Sequence, residues 1–341
     1  MRILLISPTY LGIGGVAQHV RDLTHYLRNN GHEVDIMSSG NTPTIPIKKL
    51  KNPSFIISSF LKSKFMKEYD IVHAQHPVGS LAMKNISGRK ILSIHGIFSK
   101  QIEMLHGELN SKISDKLEKN GIKWADVVTA GSKESFDYYK KFGKNVILIP
   151  NGIDIKNLPI GVNKLYENQV IFVGRLSKEK GIDTIIEMTK KLSDEIHLVF
   201  VGSGPEENKI IELSNNMKNI HYLGFQSREK TIPLIRGSNI LIQPSLAEGI
   251  SATLLEAMAC KTPVIVTRVG GNLELFENEK NGILIEPNNH QELLSAIESL
   301  LKNHQKSKSI SDNAYDTVKN YDWSKIGKKY LDLYENLISS S

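Results

Sequence analysis

Ile240-Leu-Ile-Gln-Pro-Ser-Leu-Ala-Glu-Gly-Ile-Ser-Ala-Thr-Leu-Leu-Glu-Ala-Met-Ala259 is the stretch on which the reading of this chain turns. Ile240 to Gln243 reads as a short buried strand. Pro244, Ser245 and Gly249 break it into a loop, after which Leu254, Leu255 and Met258 recur at helical spacing, with Ser251 placed to N-cap the helix. Glu248 therefore stands in the loop before a helix N-terminus, and Glu256 lies inside the helix. The backbone N–H groups of Gly249, Ile250 and Ser251 point the same way as Glu248. That combination is an anion site with a hydroxyl-binding carboxylate beside it, which suits a sugar linked to phosphate. A carboxylate in this place can also be a simple cap, so the rest of the chain has to decide.

Working outward, the strand–loop–helix unit is one of many. Strands are predicted at Ile3–Ile6, Val34–Met37, Ile71–Ala74, Ile91–Ile94, Val127–Ala130 and Val146–Ile149. The scheme repeats at Val170–Val173, His197–Val201, Ile240–Gln243, Val264–Val266 and Ile283–Ile285. Near-continuous apolar strands separated by amphipathic helices imply parallel sheets covered on both faces. The rhythm restarts after Pro150-Asn-Gly-Ile-Asp154, a turn-rich crossing. The expectation is α/β: two doubly wound Rossmann-like domains facing a central cleft, residues 1–153 and 154–322. Residues 323–341 hold a further amphipathic helix with Trp323, Ile326, Tyr330, Leu333, Tyr334 and Leu337 on one face; spacing alone leaves open which domain it covers.

Two more loops have phosphate-binding character. The first strand ends in Ser7-Pro-Thr-Tyr-Leu-Gly-Ile-Gly-Gly-Val16, where Gly12, Gly14 and Gly15 let the backbone approach a ligand. Gly12, Gly14 and Ala17 also fit the loose dinucleotide pattern G-x-G-x-x-G/A. That reading needs an acidic residue at the end of the second strand to hold a ribose. Ser38-Ser39-Gly40 stands there instead, which counts against a nicotinamide enzyme. In the second half, Gly174-Arg-Leu-Ser-Lys-Glu-Lys-Gly-Ile-Asp183 follows a strand and opens a helix, so Arg175 and Lys180 are placed to neutralise a diphosphate. Val201-Gly-Ser-Gly-Pro205 and Leu223-Gly224 either line a nucleoside pocket or close ordinary loops.

Size and composition agree with this plan. A chain of 341 residues, 40% hydrophobic and 23% charged, is long enough for two globular cores. No apolar run reaches the roughly 18 residues of a spanning helix, and Ile3–Ile6 is too short for a secretory signal core. Cys260 is the single cysteine, so no internal disulfide can form and a cysteine-built metal site is not expected. The chain reads as cytoplasmic, with a possible peripheral place at the inner membrane face. The net charge of +7 is uneven: residues 1–150 carry 21 Lys and Arg against 12 Asp and Glu, and the remainder 22 against 24. The basic half favours an anionic membrane, an acidic acceptor or nucleic acid, and no nucleic-acid-binding signature supports the last.

In order along the chain, Gly14-Gly15-Val16, Gly31-His-Glu-Val34, His95-Gly96, Pro150–Asp154, Gly174-Arg175 with Lys180-Gly181, Gly202-Ser-Gly-Pro205, Pro244-Ser245 with Glu248 and Glu256, Val269-Gly-Gly271 and Asn281-Gly282 make a series. As a series it resembles the retaining glycosyltransferase family 4, the group 1 glycosyltransferases of GT-B fold. The resemblance implies a nucleoside-diphosphate sugar as donor, bound mainly by the second domain, and an acceptor bound mainly by the first. It implies that Glu256 takes ribose hydroxyls, Arg175 and Lys180 the diphosphate, and Glu248 the transferred sugar. Gly14 and Gly15 would approach the phosphates, and the backbone of Gly249, Ile250 and Ser251 would face the donor. It also places the last helix back on the first domain. Ile250 and Ser251 stand where many members have Phe and Gly, which bears on donor identity more than on the reaction.

His95 ends a strand where open α/β sheets place ligands, and it is assigned a role at the reacting sugar. His19, His25, His32, His73 and His76 are read as structural. The resemblance implies hexosyl transfer with retention, in glycan or glycolipid synthesis; the charges at hand point to chemistry without cofactor or metal, with the two domains closing over the donor. Other readings of the same residues are a GT-B sugar-nucleotide epimerase or phosphorylase, or a non-catalytic nucleotide-sugar-binding subunit. Residues 48–67 combine six lysines with Phe55, Ile56, Ile57, Phe60, Leu61, Phe65 and Met66. The ordinary reading is a core-packing helix with solvated lysines; the other is a contact with an anionic membrane.

Overall fold

The computed structural model describes residues 1–10, 14–45, 47, 50–97 and 108–340, with the side chains of 108–111 and 113 left aside. Gly12 of the first glycine loop and Lys48 and Lys49 of the basic stretch lie outside the described residues. The chain divides into two units, one formed by Met1–Gly152 with Trp323–Ser341 and the other by Ile153–Asp322.

The first unit is built on β1 (Arg2–Ile6), β2 (Glu33–Met37), β3 (Ile71–Ala74), β4 (Arg89–Ile94), β5 (Val127–Ala130) and β6 (Asn145–Leu148). They form one sheet in the order β2-β1-β3-β4-β5-β6, every neighbouring pair parallel. Ile3-Leu-Leu-Ile6 shows why an unbroken apolar run is needed. Leu4 and Ile6 enter one core layer with Phe55, Val72 and Leu92; Ile3 and Leu5 enter the opposite layer with Val20, Leu23 and Ile91. The second layer also takes Trp323, Ile326, Tyr330 and Tyr334 from the helix Trp323–Ser339. That helix lies against the helix Gly15–Asn29 so closely that a Cβ on Gly327 would sit 2.5 Å from the Tyr26 ring.

The second unit repeats the plan with β7 (Asn168–Val173), β8 (Ile196–Val201), β9 (Ile220–Tyr222), β10 (Ile240–Gln243), β11 (Val264–Thr267) and β12 (Ile283–Ile285). The order is β12-β11-β10-β7-β8-β9, again all parallel. Val170 and Phe172 face one layer and Ile171 the other. β9 is absent from the sequence reading: it is three residues long, lies at the sheet edge and carries His221 and Tyr222, so it has no apolar run to give it away.

In each sheet the chain reverses its direction of winding once, between β1 and β3 and between β7 and β10. Connections leave on opposite faces at such a point, which opens a crevice beyond the C-terminal ends of the strands. Among the described residues no helix is long and apolar enough to cross a membrane.

Candidate functional site

In the second unit both loops that leave the switch point carry predicted residues: Gly174–Lys180 after β7 and Pro244–Ser251 after β10. Their backbones are locked together. Gly181 has φ +74°, and a Cβ there would lie 1.9 Å from the Pro244 carbonyl oxygen. The Leu246 N–H donates to the Glu179 carbonyl at 2.8 Å. This is why a glycine must follow Lys180, and it sets Lys180 beside Glu248. On the other flank the Gly271 N–H donates to the Glu248 carbonyl at 2.9 Å, and a Cβ on Gly271 would meet the Gly249 carbonyl carbon at 2.4 Å. Val269-Gly-Gly271 is thus a buttress for the Glu248 loop. Gly202 and Gly204 have a similar role: added Cβ atoms would meet the Gly174 oxygen at 1.9 Å and the Leu176 oxygen at 2.2 Å. Of the two readings offered by the sequence, these glycines fit the closing of adjacent loops.

One oxygen of Glu248 is clamped. Oε2 accepts from Lys180 Nζ, from Gln243 Nε2 at 2.5 Å and from Ser245 Oγ at 3.1 Å. Oε1 has no hydrogen bond among the described residues. Glu256, inside the helix Ala252–Ala259, repeats the arrangement: Arg228 Nε donates to its Oε1 at 2.7 Å, and Oε2 has no hydrogen bond among the described residues. Burial pushes the Glu256 carboxyl above its ordinary range, and the Arg228 guanidinium works against that shift. Both carboxylates are therefore oriented by a cation on one side with an acceptor oxygen to spare. Arg175 differs. It is exposed and makes no side-chain hydrogen bond or ion pair among the described residues.

The start of the helix Ala252–Ala259 corrects one expectation. Ser251 occupies the N-cap position but does not cap; its hydroxyl bonds the Gln243 amide at 3.3 Å. First-turn N–H groups without a side-chain cap are the donors a bound anion takes up. Ile250, expected to face a ligand through its backbone, buries its side chain in the core with Leu254 and Leu255.

In the first unit, Gly14 has φ +112° and leads straight into the helix Gly15–Asn29, which also has no side-chain cap and no acidic residue in its first turn. His95 follows β4, next to β3 at the switch point. Its ring meets the His19 ring edge-on with centroids 4.8 Å apart, and Nε2 is buried with no hydrogen-bond partner among the described residues. Burial holds the His95 pKa down to about 4, so the imidazole is neutral near pH 7 and has one ring nitrogen to spend. The histidines read as structural divide. His73 bonds the Tyr334 hydroxyl at 2.6 Å and the Ser93 hydroxyl at 2.7 Å, and His19 bonds the Tyr330 hydroxyl at 3.1 Å. His25 stays exposed. The tyrosines come from the helix Trp323–Ser339, so that helix supplies polar partners as well as core. Among the described residues no three His, Cys, Asp or Glu side chains converge as metal ligands.

The family description "Glycosyltransferase Family 4" matches residues 13–157, and "Glycosyl transferases group 1" matches residues 156–317. The chain belongs to the group 1 glycosyltransferases of family 4. This glycosyltransferase is 28% identical to an uncharacterized glycosyltransferase of Methanocaldococcus jannaschii, over 99% of each chain. Sucrose-phosphate synthase from Thermosynechococcus elongatus shares its fold, with a TM-score of 0.85 at 21% identity over 100% of both chains. So does Anabaena HepE, solved in complex with UDP-glucose, with a TM-score of 0.76 at 21% identity over 100% of both chains. The fold is GT-B.

Within the glycosyltransferase, the structure brings Lys180, Glu248 and the Gly249–Ser251 backbone together in the second unit, and His95 with the buried histidines in the first. Sequence reasoning missed Arg228. A signal was present: Arg228 opens the helix Arg228–Gly237, where the helix dipole disfavours a cation, so the residue needs another reason to be there.

Proposed function

We propose that this glycosyltransferase takes a sugar from a nucleoside-diphosphate sugar and attaches it, with retention of configuration, to a hydroxyl of a carbohydrate or lipid-linked acceptor. The observation that carries the reading is the pair of half-occupied carboxylates Glu248 and Glu256, before and within an uncapped helix, with the exposed Arg175 on the other loop that leaves the switch point. Sugars present neutral vicinal hydroxyls, which donate to oriented carboxylate oxygens. A diphosphate presents charge, which suits Arg175 and the first-turn N–H groups. HepE, of the same fold, binds UDP-glucose.

In this reading Glu256 receives the ribose hydroxyls through Oε2, and Glu248 receives a hydroxyl of the transferred sugar through Oε1. Negative charge grows on the leaving diphosphate as the glycosidic bond breaks. Arg175, the ammonium of Lys180 and the helix N-terminus lower that charge in energy without moving. Glu248 accepts a hydrogen bond from Lys180 and so helps to hold it in place, a bond that an amide oxygen at position 248 can also accept. Gly14 and Gly15 allow close backbone approach in the first unit, and His95 hydrogen-bonds the reacting sugar as a neutral imidazole. Retention follows a same-face route in which the leaving phosphate helps to deprotonate the acceptor. With the counter-charge supplied by side chains and backbone, transfer is expected to persist in the presence of a chelator.

Glu248→Gln tests the assignment. Turnover should fall at least tenfold with a nucleotide-sugar panel, while nucleoside-diphosphate affinity stays within about threefold, because each charge-assisted hydrogen bond contributes roughly 1.5–3 kcal/mol. Near-normal turnover at unchanged nucleotide affinity removes Glu248 from the mechanism.

A further inference from the structure

We propose that Tyr139, in the helix Lys133–Lys140, is a positioning residue for His95, an inference that rests on the reading of His95 as a partner of the reacting sugar. The Tyr139 hydroxyl donates to the Gly96 carbonyl at 3.2 Å and to Glu118 Oε1. Gly96 directly follows His95, so the first of these bonds pins the peptide on the C-terminal side of the imidazole. The N-terminal side is held by the same stretch of chain. The Gly131 N–H donates to the Ile94 carbonyl at 3.2 Å, and a Cβ on Gly131 would lie 3.6 Å from the His95 Cα. Ser132 comes next and caps the helix reciprocally with Ser135: the Ser135 N–H donates to Ser132 Oγ at 3.3 Å and the Ser132 N–H to Ser135 Oγ at 3.1 Å. That cap fixes the angle at which the helix leaves Gly131 and carries Tyr139 back over Gly96. One loop–helix unit thus brackets His95 from both sides.

Packing alone does not account for the two polar groups. Tyr139 is 0% exposed and Glu118 2%, and Tyr139 belongs to the core layer that holds Ile94, Ala125 and Val128. Burying a phenol and a carboxyl group there is unfavourable unless their hydrogen bonds are kept. The rings of Tyr138 and Phe142, with centroids 5.1 and 6.2 Å from the Tyr139 ring, already pack around it, so a phenylalanine would fill the same space. What the hydroxyl adds is direction. Its one hydrogen faces two oxygens in a three-centre arrangement. Glu118, carried by the helix Glu108–Trp124, fixes where the phenol oxygen sits, and the Gly96 carbonyl takes its bearing from that oxygen. A carbonyl that turns at Gly96 turns the peptide next to His95, and a misplacement of about 1 Å at a reacting centre can cost roughly 100-fold in rate.

A double-mutant cycle on the full chain tests this, with release of nucleoside diphosphate from a panel of UDP-, GDP- and ADP-hexoses as the assay. His95→Ala should slow turnover by about tenfold or more. Tyr139→Phe should lower kcat by about fivefold or more and leave donor KM within about twofold, because the donor is held mainly by the second unit in this reading. In the His95→Ala background the same Tyr139→Phe change should alter kcat by less than about twofold, since its effect passes through the imidazole. Phenylalanine strands the buried Glu118, so a second variant guards against a folding defect: Tyr139→Phe with Glu118→Met makes both partners apolar, a replacement that is close to neutral for stability. It should melt near the parent temperature and still turn over about fivefold or more slowly. In histidine-labelled protein the His95 ring signal, assigned by its loss in His95→Ala, should shift in both Tyr139 variants while that of the exposed His25 stays in place. Parent-like kcat in the two Tyr139 variants, or losses that add in the double-mutant cycle, overturn the positioning role and leave the His95 assignment standing. Parent-like kcat in His95→Ala overturns that assignment, and the inference with it.

Discussion

Replacing Arg228 by Met isolates the electrostatics of the second unit's site. The Arg228–Glu256 pair is partly buried, with side chains 26% and 14% exposed. Breaking a fully buried pair costs about 3–5 kcal/mol, and a single hydrogen bond to a charged group contributes roughly 1.5–3. Partial exposure places Arg228→Met near 2 kcal/mol. For a unit of this size that is a fall in melting temperature of roughly 4–8 °C. The pH dependence has a definite sign. Burial raises the Glu256 pKa, so between the unfolded and folded carboxyl values the folded state binds more protons than the unfolded chain. Its contribution to stability is greatest below the unfolded carboxyl value and is lost as pH rises through the folded one. Without the guanidinium the folded pKa climbs further, so the cost of Arg228→Met should be larger at about pH 8 than at about pH 5. Urea unfolding of the parent, Arg228→Met, Glu256→Gln and the double variant at both pH values gives the coupling directly. The expected coupling at the higher pH is about 1–2 kcal/mol. A value below roughly 0.5, or a cost independent of pH, refutes the argument that this pair orients Glu256.

Arg175→Ala should behave in the opposite way: with no partner to lose, stability changes by less than about 0.5 kcal/mol, while donor affinity measured by calorimetry falls about tenfold or more. Gly181→Ala combines left-handed strain with a Cβ against the Pro244 oxygen; unfolding should show a loss of about 2–4 kcal/mol and transfer activity should fall, and a near-native variant would break the link between the two loops. In the first unit, burial holds His73 down to about 3 and His76 and His95 to about 4. Their neutral forms favour the fold above the unfolded histidine value near 6.5, and that stability drains as pH falls toward the folded values, by up to about 1.4 kcal/mol per pH unit for each ring. Unfolding free energy should therefore drop by at least about 2 kcal/mol between pH 7 and pH 5, and a flat profile would count against burial of the cluster.

Legibility in the sequence followed the physics of each element. Strands buried on both faces announce themselves, because Ile3–Ile6 or the run 240–242 must be apolar at every position. The edge strand Ile220–Tyr222 has no such demand and was invisible. Glycines that carry chemistry and glycines that let two loops touch look alike in a sequence; only the 1.9 Å approach to the Gly174 oxygen separates Gly202 from a ligand contact. Glu248 and Glu256 were readable from their place around a helix start. Their partners were not read as partners: Lys180 and Arg228 arrive from segments 68 and 28 residues away, and nothing local to the carboxylates records them. The Lys51–Ser63 helix follows its ordinary reading, with Phe55 in the core and Lys64 exposed.

The polar bonds from Tyr330 and Tyr334 to His19 and His73 have a bearing on biosynthesis. The unit that begins at Met1 remains short of a wall of its core, and of partners for two sequestered imidazoles, until Trp323–Ser339 emerges. Ile153–Asp322 is continuous and is fully translated before that helix. The later-made half is thus the first able to finish folding, and the earlier-made half waits with its sheet partly uncovered, which makes this interval the time when the nascent chain most needs chaperone shelter.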